Sequence, residues 1–133
     1  MLQNLPKRIL VADDDPVIRQ LIHSIVKADG YIPVETSDGR EAYRLLRSDA
    51  DFCGAIFDMR MPGLSGIDLI SYMKTENRLR RIPVMLVTAE TNLSLMSASF
   101  AAGAMAYLPK PFTREELQKA IRMLVRQAVR RAA

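Results

Sequence analysis

The chain has 133 residues, 49% of them apolar and 26% charged, with a net charge of +4 and a single cysteine. That length closes one hydrophobic core without room for a comfortable second, and the plentiful apolar residues and absent low-complexity tracts exclude a disordered chain. Cys53 has no second thiol to pair with, and residues 1–30 hold neither a signal-peptide core nor a membrane-spanning run, so one cytoplasmic domain over 1–133 is expected.

In chain order, Ile9 to Ala12 reads as a first buried strand and runs into three acids, Asp13, Asp14 and Asp15. Asp15 is a fitting N-cap and Pro16 a fitting first helical residue, and Val17, Leu21, Ile22 and Ile25 recur at helical spacing up to Ala28, with Gly30 as the stop. Tyr31 to Glu35 reads as the second strand, and Asp38 caps a second helix through Leu46. Ala55 to Phe57 is the third strand, ending on Asp58. Ser65 with Asp68 forms a capping-box pattern that opens a third helix through Lys74. Val84 to Val87 is the fourth strand, followed by Thr88 and a less sharply patterned helix from Asn92 to Ala102 that Gly103 ends. Ala104 to Leu108 is the fifth strand, and Lys110 follows it. Thr113 and Glu116 repeat the capping box before a last helix whose Leu117, Ile121, Leu124, Val125 and Ala128 make one apolar stripe. The domain core is expected over about 7–124, with 125–133 as the end of the last helix and a basic tail.

Strict alternation of strand and helix indicates a parallel sheet with helices on both faces, a doubly wound (βα)5 α/β domain. In such sheets ligands bind beyond the carboxyl ends of the strands. Asp13, Asp14, Asp58, Thr88 and Lys110 all fall on that edge, whereas the second strand ends in the weaker group Glu35, Thr36 and Ser37. Carboxylates about 4 Å apart repel by roughly 4 kcal/mol per pair at an effective dielectric near 20, so either one stays protonated or a cation fills the gap. An all-oxygen set without His or Cys selects a hard ion, and Mg²⁺ (or Mn²⁺) is the expected cofactor. Such an ion keeps sites for phosphate oxygens, which Lys110 and Thr88 would also meet.

The segments ILVADDD, IFDMRMPGLSGIDL, VMLVTAE and AMAYLPKPF, in this order between about Lys7 and Leu124, resemble the signature blocks of response-regulator receiver domains of two-component signalling, chemotaxis regulators among them. The resemblance implies a flavodoxin-like five-stranded sheet in the order 2-1-3-4-5. It implies that Asp58 is the phosphoacceptor, taking a phosphoryl group from the phosphohistidine of a sensor kinase or phosphotransfer protein. It further implies that Asp14, Asp58 and the backbone carbonyl of Arg60 ligate Mg²⁺, that Asp13 acts through a metal-bound water, and that Thr88 and Lys110 bind phosphoryl oxygens. Thr88 and Tyr107 would be the switch residues that reshape the surface of helix four, strand five and helix five for a downstream partner, an output domain or a homodimer mate. Arg60 and Glu90 occupy the positions that tune the lifetime of the phosphoryl group. The Lys110-Pro111 peptide is expected to be cis, an isomer that proline permits. On this reading the domain is no enzyme: it catalyses only its own phosphorylation and dephosphorylation. The chain stops soon after the fifth helix, so an attached output domain is not expected within it, and both a stand-alone regulator and a receiver from a longer protein fit.

Other readings compete residue by residue. Asp15 is assigned to the helix cap, and Tyr107 without the resemblance is a core aromatic with its hydroxyl at the rim. His23 shares a helical face with Arg19 and Lys27 and is expected to face solvent, outside the site. Met59, Met61 and Cys53 are assigned to packing. Arg122, Arg126 and Arg130, with Arg131 beside them, form a solvated face, with an acidic or dimeric partner second and nucleic acid third, since no helix-turn-helix, zinc finger or stacking platform accompanies them. Two other functional classes are a phosphohydrolase with Asp13 and Asp15 as a DxD pair, which lacks room for a cap domain, and a degenerate phosphate-independent interaction module.

Overall fold

The computed structural model describes residues 7–90 and 92–132, so the expected domain, 1–133, extends beyond the described residues at both ends. Five strands, β1 (Arg8–Ala12), β2 (Ile32–Thr36), β3 (Gly54–Asp58), β4 (Val84–Thr88) and β5 (Ala106–Pro109), alternate with five helices. The helices are α1 (Pro16–Ala28), α2 (Gly39–Ser48), α3 (Gly66–Lys74), α4 (Leu93–Ala102) and α5 (Arg114–Ala132). All strand pairings are parallel and the order is β2-β1-β3-β4-β5. The expected doubly wound topology is therefore the observed one.

Because strand side chains alternate between faces, β1 feeds two cores at once. Ile9 and Val11 join Ile56, Met85 and Val87 against α1 and α5, through Ile22, Ile25, Leu117 and Ile121. Leu10 and Ala12 join Phe57 and Leu86 against α2 and α3, through Leu46, Leu69, Ile70 and Met73, with Leu95 of α4 at the margin. Both faces being covered, β3 and β4 are buried throughout, whereas β2, at the edge, leaves Ile32 57% exposed. Cys53 is buried in the α1/α5 core as expected of a packing residue.

Local signals start the helices where they were read. Asp15 accepts from the amides of Val17 and Ile18, and Pro16 opens α1. Both capping boxes form: Ser65 and Asp68 bond reciprocally, as do Thr113 and Glu116. Two strands begin later than their apolar residues indicate, for one shared reason. The amide of Tyr31 still donates to Val26 of α1, and that of Ala104 to Ser99 of α4, so each residue belongs to the helix ending before it. The expected basic tail is helical, since α5 runs to Ala132.

His23 departs from expectation. Its Nδ1 lies 2.8 Å from Glu35 Oε2, and Arg19 Nε lies 3.6 Å from Glu35 Oε1, so the histidine is half-buried between α1 and β2 and does not simply face solvent.

Candidate functional site

The register aligns the carboxyl ends of the central strands: Ala12 pairs with Phe57, Asp58 with Val87, and Thr88 with Pro109. Asp58 and Thr88 end β3 and β4, and Asp13 and Lys110 directly follow β1 and β5, so the four lie along a common edge. Asp13, Asp14 and Asp58 meet there, each offering one oxygen within 4.8 Å of the others. Asp13 is fully buried and Asp58 is 8% exposed, while Asp14 is open to solvent.

Each buried carboxylate has a partner. Asp13 Oδ1 accepts from the amide of Asp15 at 2.9 Å, and the Lys110 ammonium lies 3.3 Å from Asp13 Oδ2 and 3.4 Å from Asp58 Oδ1. Burial, with the Asp13 charge beside it, pushes the Asp58 carboxyl up to about 6, against the opposing pull of Lys110. One cation thus offsets a cluster of three acids only in part. The donor set suits a hard divalent cation: three carboxylates from two strand ends, with no nitrogen or sulfur ligand among them.

Main-chain geometry holds this edge in place. Lys110 donates its amide to the carbonyl of Thr88 at 2.7 Å, and the Lys110-Pro111 peptide is cis, as expected. Gly66 brings the first turn of α3 against β3: its amide donates to Met59, and a Cβ there would lie 2.8 Å from the Asp58 carbonyl oxygen and 2.5 Å from Leu86 Cδ2. Arg19 reaches over from α1 and donates to the Asp13 carbonyl at 2.7 Å.

On the β4 side, Glu90 is a junction. Its amide donates to Thr88 Oγ1 at 3.1 Å, its carbonyl accepts from the Tyr107 hydroxyl at 2.7 Å, and its carboxylate pairs with Arg60 of the loop that follows Asp58. The Tyr107 ring in turn lies 6.4 Å from Phe100 of α4. The opposite-charge pair read from Arg60 and Glu90 is formed, and it is exposed.

A model of the response regulator receiver domain matches residues 9–122. The chain belongs to this family. Receiver domains are signalling domains of two-component systems; they bind Mg²⁺ at an acidic pocket and interact with histidine kinases or phosphotransfer proteins and with output domains. This receiver is 34% identical over 115 residues to the chemotaxis protein CheY of Pseudomonas aeruginosa, an alignment covering 86% of this chain and 92% of that one. It is 36% identical over 123 residues to the response regulator MprA of Mycolicibacterium vanbaalenii, covering 92% of this chain and 52% of MprA. The chain thus spans about half the length of MprA. Among solved structures, the receiver domain of the sensor histidine kinase PA1611 from Pseudomonas aeruginosa PAO1 superposes with a TM-score of 0.81 at 28% identity, over 90% of this chain and 98% of that one. That relative holds a magnesium ion coordinated in its active-site cleft.

Of the side chains anticipated for the receiver site, Asp13, Asp14, Asp58 and Lys110 cluster at this edge, Thr88 is 2% exposed at the end of β4, and Tyr107, within β5 opposite Leu86, is linked through Glu90 to Arg60. Asp15 stays with the helix cap, outside the acidic cluster, so no DxD pair faces the site. Two contributors were not anticipated. Gly66 carried a signal in sequence, a glycine directly after an N-cap in SGIDL. Arg19 carried none, because its partner is a main-chain carbonyl six residues back. Among the described residues no helix is long and apolar enough to cross a membrane.

Proposed function

We propose that this receiver takes a phosphoryl group onto Asp58 from the phosphohistidine of a sensor kinase or phosphotransfer protein. A carboxylate oxygen of Asp58 attacks phosphorus, the N–P bond breaks, and the imidazole leaves with the bonding pair. Asp14, Asp58 and the carbonyl of Arg60 would hold Mg²⁺ (or Mn²⁺), with Asp13 acting through a water, and the ion would supply positive charge against the phosphoryl oxygens. Lys110 serves the same end, already lying between Asp13 and Asp58. Thr88 Oγ1 accepts from the Glu90 amide, and its hydroxyl would donate to a phosphoryl oxygen. The observation that carries this reading is the acidic cluster within 4.8 Å with one lysine bridging two of its members.

Phosphorylation then acts as a switch through Glu90. A Thr88 hydroxyl drawn to phosphate releases the Glu90 amide, and the same residue holds Tyr107 through its carbonyl. Reversing a 1:99 population to 99:1 needs about 5.5 kcal/mol of preference for the active conformer. The responding surface is α4, β5 and α5, where Leu93 is 72% and Phe100 46% exposed on a helix with no charged residue. It would meet a downstream target, an output domain or a second receiver, in the cytoplasm. Arg60 and Glu90, paired on the loops that follow Asp58 and Thr88, would govern water access and so the lifetime of the aspartyl phosphate.

The test is incubation with acetyl phosphate, with and without Mg²⁺, read by intact mass. A Mg²⁺-dependent phosphoryl adduct that Asp58→Asn abolishes is expected. An adduct that forms equally without metal, or none on the parent chain, refutes the mechanism.

A further inference from the structure

At the opposite edge of the sheet, the end of α3, the loop feeding β4 and the last turns of α5 enclose an open cleft of about 500 Å³ lined by Lys74, Asn77, Arg80, Arg81 and Arg131. Four of these five residues are cationic and none is acidic. The carboxylate on the same loop, Glu76, is paired with Arg78 at 3.7 Å. Arg80 Nη1 donates to Asn77 at 3.3 Å, Arg131 Nη1 to the Arg81 carbonyl at 3.3 Å, and Lys74 Nζ reaches the Arg80 carbonyl at 3.5 Å. These bonds orient Arg80, Arg131 and Lys74 while leaving most of their donors free, since a guanidinium carries five and an ammonium three. Burial, then repulsion from Arg131 and Arg80, holds the Lys74 amine below the usual lysine range, and burial lowers Arg131 as well. Like charges gathered from three segments of chain are relieved by a bound anion.

We infer that this cleft binds a multiply phosphorylated anion, with Arg80, Arg81 and Arg131 as forked donors to phosphoryl oxygens and Lys74 as a point charge. Guanidinium forks match phosphate geometry, and the volume exceeds what a single phosphate fills. Asn77 adds a neutral side-chain amide to the lining. The inference does not rest on the chemistry of Asp58, which lies at the carboxyl ends of the strands.

Calorimetric titration of the full chain with sodium tripolyphosphate, in EDTA to keep divalent ions off the carboxylates, tests it. Saturable one-site binding that weakens with salt is expected. The double variant Arg80→Gln/Arg81→Gln changes two exposed side chains and is expected to weaken it by roughly tenfold or more. Asp58→Asn leaves it unchanged. Amide resonances of Lys74, Asn77 and Arg131 shift during the titration, and those around Asp58 do not. Titration with ATP identifies the source: affinity above that for tripolyphosphate points to a nucleotide, equal affinity to the phosphate chain alone. No saturable binding, unchanged affinity in the double variant, shifts confined to the Asp58 edge, or equal affinity for inorganic phosphate would each overturn the assignment.

Discussion

The hydroxyl of Tyr107 donates to the main-chain carbonyl of Glu90 at 2.7 Å, joining β5 to the loop that leaves Thr88. This bond couples the aromatic expected to act as a switch to the residue that also binds the Thr88 hydroxyl. Tyr107→Phe keeps the ring and removes the donor. A stability loss of about 0.5–1.5 kcal/mol is expected in urea denaturation, the usual net value of one hydrogen bond. Acetyl-phosphate labelling of Asp58 stays near the parent rate, while chemical-shift changes in α4 and β5 on phosphorylation shrink. Full-size shifts in this variant would remove the bond from the switch.

Lys110→Met leaves Asp13 and Asp58 without the cation that now lies within 3.4 Å of both. Removing one partner of a buried charge set costs more than the pair itself contributed. The metal-free variant should melt well below the parent at neutral pH, and millimolar Mg²⁺ should restore more stability to it than to the parent. Acetyl-phosphate labelling should fall about 100-fold, the usual loss when one positioned charge donor is removed. An unchanged labelling rate would take Lys110 out of the phosphoryl chemistry.

The raised Asp58 carboxyl gives metal-free stability a defined pH dependence. Its folded value of about 6 lies above the 3.8 of an unperturbed aspartate, so the folded state holds the proton through the window between them. That contribution is fully present below about 4 and is lost as pH rises through about 6. Denaturation in EDTA should therefore show Asp58→Asn gaining on the parent between these limits, with a plateau above. A stability difference that is flat across the window would show that Asp58 titrates normally.

Gly66→Ala places a methyl 2.5 Å from Leu86 Cδ2 and 2.8 Å from the Asp58 carbonyl oxygen. Leu86 belongs to a close-packed core and the carbonyl is main chain, so α3 has to move away from β3. A loss of about 1–3 kcal/mol is expected by chemical denaturation, together with slower labelling of Asp58. An alanine variant as stable as the parent would show that α3 tolerates the displacement.

Much of this protein is local and was legible as sequence. The helix starts depend on a side chain reaching an amide two or three residues on, as at Asp15, Ser65 and Thr113, so the neighbouring letters suffice. The buried strands show as unbroken apolar runs because both faces of the sheet are covered. From those two signals came the (βα)5 fold and the row of polar residues at strand ends. Strand order came from family resemblance, since periodicity is indifferent to which strand is adjacent to which.

Tertiary structure alone decided the distances. Lys110 and Asp13 are 97 residues apart in the chain and meet only because β5 and β1 flank the same central strands in parallel register. The pairing of His23 with Glu35 and the convergence of Lys74, Arg80, Arg81 and Arg131 are of the same kind. A charge's partner is set by whatever packing brings within a few ångströms, and short-range patterning along the chain carries no information about that.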